Sequence, residues 1–306
     1  MISKAQIEYI IALNKLKSFQ KASEACFVTQ PTLSMQLKKA EDTLDYKLFD
    51  RSKSPIELTP IGEKILPELH QILESYENLT TSIDKLKGSF KAEVRIGIIP
   101  TIAVYLVPQL YKDWQKKLTG IKLIISELKS SQILEQLEDR SIDIGIMAGP
   151  ITKQSLKSQI LFNEEICIYA PKLNRKTITV EELQELKPWL LSQGNCLRTQ
   201  MINFCNLSES PSDEWSYEGG NLNLLTQMVE QEGGYTLIPN EYRKLLNLKD
   251  SYFTKIKDHT PARQIVAVYL DRSKKIEHFS PIIREIQLAK GKESISPKFA
   301  DLLPWK

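Results

Sequence analysis

Two cysteines sit nine residues apart in Gly194-Asn195-Cys196-Leu197-Arg198-Thr199-Gln200-Met201-Ile202-Asn203-Phe204-Cys205. The glycine turn, followed by Leu197, Met201 and Phe204 at spacings of four and three, predicts a short amphipathic helix that begins near Cys196. A thiol at a helix N-terminus meets unpaired backbone N–H groups and the positive end of the dipole, and both favour the thiolate. Arg198 adds a fixed positive charge close by. Only the thiolate attacks peroxide or another sulfur. A helix over 196–205 would hold the two Cα atoms about 13 Å apart, from nine steps of ~1.5 Å. A disulfide needs roughly 4.4–6.8 Å, so bond formation requires the segment to unwind. Two buried, inert thiols are the alternative.

Composition bounds the setting. The chain has 306 residues, enough for two or three domains, and its 42% hydrophobic and 26% charged residues suit a soluble globular protein. A net charge of +3 gives no bulk attraction to polyanions, so any nucleic-acid binding must come from local placement. No apolar run is long enough to span a membrane, and no signal-peptide pattern opens the chain. A cytoplasmic location is expected, where four cysteines start reduced and a disulfide is a signal. The three histidines are scattered and no Cys-x-x-Cys occurs, so neither a metal nor another cofactor is expected.

Residues 1–59 read as a DNA reader. Helices are expected from Gln6 to Lys15, after Ser18, and from Gln30-Pro31 to about Leu44. Leu33, Leu37, Ala40 and Leu44 form the inner stripe of the third helix, while Pro31, Thr32, Met35, Lys38 and Lys39 face outward. Residues 48–59 read as a hairpin wing that carries Arg51 and Lys53 toward phosphates. This is a winged helix-turn-helix whose third helix would enter a major groove. Nine basic against seven acidic residues over 1–58 make it only weakly basic.

Residues 60–92 read as a linker. Thr59 and Pro60 open a long helix, and Ile61, Ile65, Leu66, Leu69, Ile72, Leu73, Tyr76, Leu79, Ile83 and Leu86 form a seam suited to a second copy of the chain. Pro67 should kink it, and Gly88-Ser89 is expected to end it as a hinge. Residues 93–306 alternate strands with helices, which predicts two α/β subdomains that resemble the periplasmic-binding-protein fold, with a cleft at strand ends. Val266–Tyr269 is a candidate strand returning to the first of them. Thr101 and Ser130 border strand ends, where each reads either as a helix cap or as a cleft hydroxyl.

Three sets of residues carry a family resemblance. They are Gly194-x-Cys196-Leu197-Arg198-x-Gln200 with Phe204-Cys205, then Ala22-x-x-Ala25-x-x-Val28-Thr29-Gln30-Pro31-Thr32-Leu33-Ser34-x-Gln36, then Leu48-Phe49-x-Arg51 with Leu58-Thr59-Pro60-x-Gly62. Together they resemble the LysR-type transcriptional regulators, and within them the peroxide-sensing OxyR branch. The resemblance implies that Cys196 is peroxidatic and Cys205 resolving. It implies that Thr101, Ser130, Asn195 and Arg198 form the peroxide site, and Ile99-Pro100-Thr101 and Glu127-x-x-Ser130-x-Gln132 match its segments. Asn195 stands where the family has His, and Ser130 replaces Thr. Pro261-Ala262-Arg263 and Arg272 match a later family pattern.

For the reader the resemblance implies base contacts from Gln30, Pro31, Thr32 and Ser34, and phosphate contacts near Lys38 and Arg51. The implied partners are promoter DNA, RNA polymerase, hydrogen peroxide, and further copies of the chain as a dimer or tetramer. A reductant such as glutaredoxin or thioredoxin would reset the switch. The implied function is activation of antioxidant genes, with no enzyme activity. A regulator that answers to a small organic metabolite in the cleft is the alternative. A thiol peroxidase is a third reading, but it would have no use for residues 1–59.

Overall fold

The computed structural model describes residues 1–86, 92–207, 220–246, 248–271, 273, 275–291, 294–297 and 300–303. The chain divides into two compact units, Met1–Phe90 and Lys91–Lys306.

The first unit opens with α1 (Lys4–Leu16), α2 (Phe19–Ala25) and α3 (Gln30–Leu44). Each begins on a hydroxyl cap: Ser3, Ser18 and Thr29 accept from backbone N–H groups of the first turn. Ile7, Ile10, Leu13, Ala22, Leu33, Leu37 and Ala40 close the core. Asp45 ends α3 in the left-handed region at φ 59°, a conformation that a glycine adopts without strain. The wing follows as β1 (Phe49–Asp50) antiparallel to β2 (Glu57–Leu58). Then α4 (Pro60–Leu86) starts on the Thr59 hydroxyl, which accepts from the Gly62 N–H at 3.0 Å.

The expected seam of α4 divides in two. Leu69 is buried in the reader core, and Ile61, Ile65 and Leu73 pack against it. Ile72, Tyr76, Leu79 and Ile83 stay exposed, at spacings of four, three and four. Packing against its own domain therefore takes the first half of the helix, which corrects the reading of one continuous intermolecular seam. The expected hinge at Gly88-Ser89 lies outside the described residues.

The second unit runs β3 (Ala92–Ile98), α5 (Pro100–Lys117), β4 (Ile121–Glu127), α6 (Ser130–Glu138), β5 (Ile144–Ala148) and β6 (Leu156–Tyr169). It continues with β7 (Thr177–Ile178), α7 (Val180–Gln184), α8 (Cys196–Cys205), α9 (Leu222–Glu232), β8 (Thr236–Pro239) and α10 (Asn240–Leu246). It ends with β9 (Phe253–Ile256), β10 (Pro261–Leu270), α11 (Ile276–Lys290) and β11 (Asp301–Leu302).

Strand order is β4-β3-β5-β10-β6-β9-β7, with β8 on β6 and β11 on β10. The first half pairs in parallel through β3, β4 and β5. Strand β10 then returns to it antiparallel, with Val266 opposite Met147, as the sequence suggested. The long strands β6 and β10 pair along most of their length and join the two α/β halves. Helix α6 lies close to the sheet because residue 145 is glycine; a Cβ there would fall 2.3 Å from Ile133.

Candidate functional site

Three strand ends and one helix terminus meet around Cys196. The turn at Gly194, with φ 87°, sends the chain into α8, and Cys196 is its first residue. Thr101 follows β3 on the first turn of α5, and Ser130 follows β4 as the first residue of α6. Ala148 ends β5. Neither hydroxyl serves as a helix cap, since Ile99 and Lys129 occupy the cap positions, so the cap reading of both fails. A bond from Lys129 Nζ to the Gln193 carbonyl at 3.1 Å ties the Cys196 loop to the start of α6.

Cys196 is 3% exposed. The Ser130 hydroxyl and the N–H groups of Leu197 and Ala148 favour the thiolate, and the largest favourable influence is the charge of Arg263. Burial outweighs all of them and pushes the thiol above its ordinary value of 9.0. The expectation of a helix terminus that lowers the pKa is therefore corrected. The Leu197 N–H at the helix start favours the thiolate as anticipated, but the cost of taking the sulfur out of water is larger.

The charge that matters also differs from expectation. Arg198 Nη1 donates to the Leu191 carbonyl at 3.0 Å and so braces the loop ahead of the helix. Arg263, fully buried on β10, donates through Nη1 to Thr101 Oγ1 at 2.9 Å and through Nη2 to the Thr101 carbonyl at 3.1 Å. Its Nε reaches Glu164 Oε2 at 2.7 Å. Asn195 gives its amide N–H groups to Ser192, both bonds being 2.9 Å, and makes no side-chain cap bond. The Ser130 Oγ is buried without a hydrogen bond of good geometry, which leaves a polar atom beside the sulfur for an incoming oxygen.

Cys205 closes the same helix, fully buried beside Tyr235. Burial pushes its thiol up to about 11, and the Tyr235 hydroxyl offsets this only in part. The Gln184 side chain holds the Cys205 carbonyl at 3.2 Å, and Gln200 holds the Leu303 carbonyl at 2.9 Å. The two thiols therefore stand at opposite ends of an intact ten-residue helix. Cys167 lies on β6 against Asn240, with its thiol pushed to about 12 by burial. Arg272 lies outside the described residues. Among the described residues no group of three or more His, Cys, Asp or Glu could hold a metal.

Arg263 enters the sequence reading only through the Pro261-Ala262-Arg263 family match, with no place at the thiol, and Glu164 does not enter it. A further signal for Arg263 is a charged side chain inside the mostly apolar strand Pro261–Leu270. Glu164 has no such signal, because its partner is 99 residues away and set by strand register.

On the reader, Gln30, Pro31, Lys38 and Lys39 are exposed along the outer face of α3, and Thr32 and Ser34 are half-buried there. Thr32 shares a 2.8 Å hydroxyl contact with Thr29, which orients it on the first turn. Met35 is 61% exposed on the same face. Arg51 Nη2 pairs with the buried Glu41 at 3.1 Å and stacks over Phe19, with the rest of its side chain open to solvent. Glu41 also accepts from the Leu48 N–H at 2.8 Å, so it ties the wing to α3. Lys53 is exposed and pairs with Glu57. No described helix is long and apolar enough to cross a membrane.

Comparison with known proteins agrees with this architecture. The model of the bacterial regulatory helix-turn-helix protein, lysR family, matches residues 5–63, and that of the LysR substrate binding domain matches 87–287. The chain is 27% identical over 268 residues to the HTH-type transcriptional regulator EstR of Acinetobacter baylyi, covering 86% of this chain and 89% of that protein. It is 28% identical over 237 residues to the DNA-binding transcriptional dual regulator OxyR of Escherichia coli K12, covering 76% and 77%. Full-length OxyR from Pseudomonas aeruginosa, a cysteine variant, superposes with a TM-score of 0.71 at 24% identity, covering 94% of this chain and 98% of that one. A peroxide-bound cysteine mutant of OxyR from Corynebacterium glutamicum superposes with a TM-score of 0.61 at 26% identity, covering 95% and 94%. With a helix-turn-helix reader and an α/β regulatory domain both matched, the chain belongs to the LysR family of DNA-binding transcriptional regulators.

Proposed function

We propose that the chain is a peroxide-responsive regulator of transcription, switched by a disulfide between Cys196 and Cys205. The observation that carries this reading is the position of the two thiols at opposite ends of one helix, the first of them beside Ser130 and under the charge of Arg263. The Cys196 thiolate attacks one peroxide oxygen, breaks the O–O bond and becomes a sulfenic acid, with hydroxide leaving. Cys205 then displaces water from that sulfenic acid to form the disulfide. The hydroxyls of Thr101 and Ser130 hold the peroxide, which the orphaned Ser130 Oγ and the Thr101 bond to Arg263 support, and the Arg263 charge favours the thiolate against the cost of burial. Asn195, its donors taken by Ser192, orients the loop and does not supply charge.

Closing the bond unwinds α8 and remodels contacts between subunits. That change alters how paired readers span promoter DNA and engage RNA polymerase. The chain then acts as an activator of antioxidant genes. The apolar stripe Ile72, Tyr76, Leu79 and Ile83 supports a dimer through α4, and dimers pair into tetramers. A dithiol reductant of the glutaredoxin or thioredoxin class restores the reduced state. The test is stoichiometric peroxide on the reduced protein, followed by non-reducing peptide mapping. A 196–205 disulfide is expected, and its absence overturns the reading. A metabolite-responsive regulator is the second reading, favoured by the raised Cys196 thiol.

A further inference from the structure

The Arg263 charge that favours the Cys196 thiolate does not act alone. Arg263 and Glu164 stand directly opposite one another where β10 crosses β6, and both side chains are almost completely buried. Their bond is 2.7 Å long, and the two Thr101 acceptors fix the other end of the guanidinium. Arg263 is thus held at three points, with a single carboxylate as its ionic partner among the bonds that anchor it.

A bare buried guanidinium would draw a negative charge strongly onto any neighbouring acid, because water is absent to screen it. An ion pair presents much less. We propose that Glu164 is a positioning residue that meters the charge Arg263 offers to Cys196, so that the sulfur meets an ion pair and not an isolated cation. The inference rests on the reading of Cys196 as the reacting thiol.

The other groups around the pair fit this account. Tyr105 of α5 lies against Glu164, and its hydroxyl is one of the influences that keep the carboxylate charged. Lys290 of α11 stands over the Tyr105 ring at 5.6 Å and pairs with Glu241 of α10, which in turn pairs with Lys244. Glu241 opposes the ionisation of Glu164, and Lys290 compensates Glu241. Burial, the largest influence, raises the Glu164 pKa, and Arg263 is the largest influence that favours its charge, so the carboxylate depends on the cation it moderates.

The roles of clamp and meter separate in Glu164→Gln. Glutamine keeps an acceptor for Nε but removes the negative charge, so Arg263 stays seated with its charge uncompensated. The pH dependence of Cys196 alkylation by iodoacetamide, read by peptide mass mapping on the full-length reduced protein, is the measurement. Its midpoint should fall by about one unit, which makes alkylation at neutral pH about tenfold faster. Glu164→Asp, which keeps the charge, should restore a midpoint near the wild-type one.

A clamp without a meter predicts the reverse: a displaced Arg263 and a midpoint that rises. A rise or an unchanged midpoint in Glu164→Gln overturns the proposal. If that variant does not fold, Tyr105→Phe takes its place. Loss of the hydroxyl raises the proton affinity of Glu164 and should move the Cys196 midpoint down by a smaller amount; no movement there overturns the proposal equally. Iodoacetamide needs no peroxide chemistry. A peroxide-inert protein would sink the proposed function and leave this result standing.

Discussion

Arg263 Nη1 donates to Thr101 Oγ1 at 2.9 Å, across 162 positions of sequence, and so joins the start of α5 to the strand that crosses between the two α/β halves. Thr101→Val keeps the shape and removes the acceptor. One donor of a buried guanidinium is then unpaired, at a cost of roughly 1–3 kcal/mol in a denaturant melt. The rate of Cys196 oxidation by peroxide should fall at the same time. A variant as stable and as fast as wild type would show that this bond anchors nothing.

The switch should be visible as a loss of helix. Hydrogen exchange over residues 196–207 is expected to be slow in the reduced protein and fast after disulfide formation, because about 13 Å of helix cannot coexist with a disulfide. Cys196→Ser should abolish the response, while Cys205→Ser should still form the sulfenic acid without the fast-exchanging state. A mapped disulfide with unchanged exchange contradicts the mechanism.

Alkaline pH should weaken the reduced protein through Cys205. Its folded pKa of about 11 lies above the ordinary 9.0, so the group's contribution to stability is complete below pH 9 and is lost as pH rises toward 11. The loss should approach about 2–3 kcal/mol relative to Cys205→Ser. Urea melts at pH 8 and pH 11 provide the comparison.

The two halves of α4 should respond differently to charge. Leu69→Asp places a carboxylate in the reader core, where Leu69 is 3% exposed, and should unfold the reader. Leu79→Asp with Ile83→Asp should leave the reader folded and yield monomers in sedimentation. Native-size assemblies from the double variant would move the dimer contact elsewhere.

On DNA, Lys38→Ala should weaken all sequences alike and reduce the salt slope by about one, whereas Thr32→Ala should blur sequence preference. Arg51→Ala should do as Lys38→Ala does and also lower the melting temperature of the reader, because Arg51 pairs with the buried Glu41. Binding isotherms at several salt concentrations, with a thermal melt for each variant, separate the two effects.

Much of this protein is written locally. The hydroxyl caps at Ser3, Ser18 and Thr29, the stripe of Leu33, Leu37 and Ala40, and the turn at Gly194 before Cys196 each depend on residues within a few positions of one another. Such features can be read from spacing alone, because helix periodicity and capping are short-range physics. The alternation of strands and helices over residues 93–306 announced two α/β halves for the same reason.

What surrounds Cys196 is of another kind. The sequence placed Arg198 beside it by proximity in the chain, yet the charge that reaches the sulfur comes from Arg263 and is moderated by Glu164. Likewise the seam of α4 could be read as a pattern, but not which half of it the reader core would claim. Register between β6 and β10 brings Glu164 opposite Arg263, and burial decides that the thiol's proton is held more tightly despite the helix terminus. Electrostatics in a dry interior depends on which groups share it and how little water remains, and those are properties of the packed structure, not of neighbouring positions in the chain.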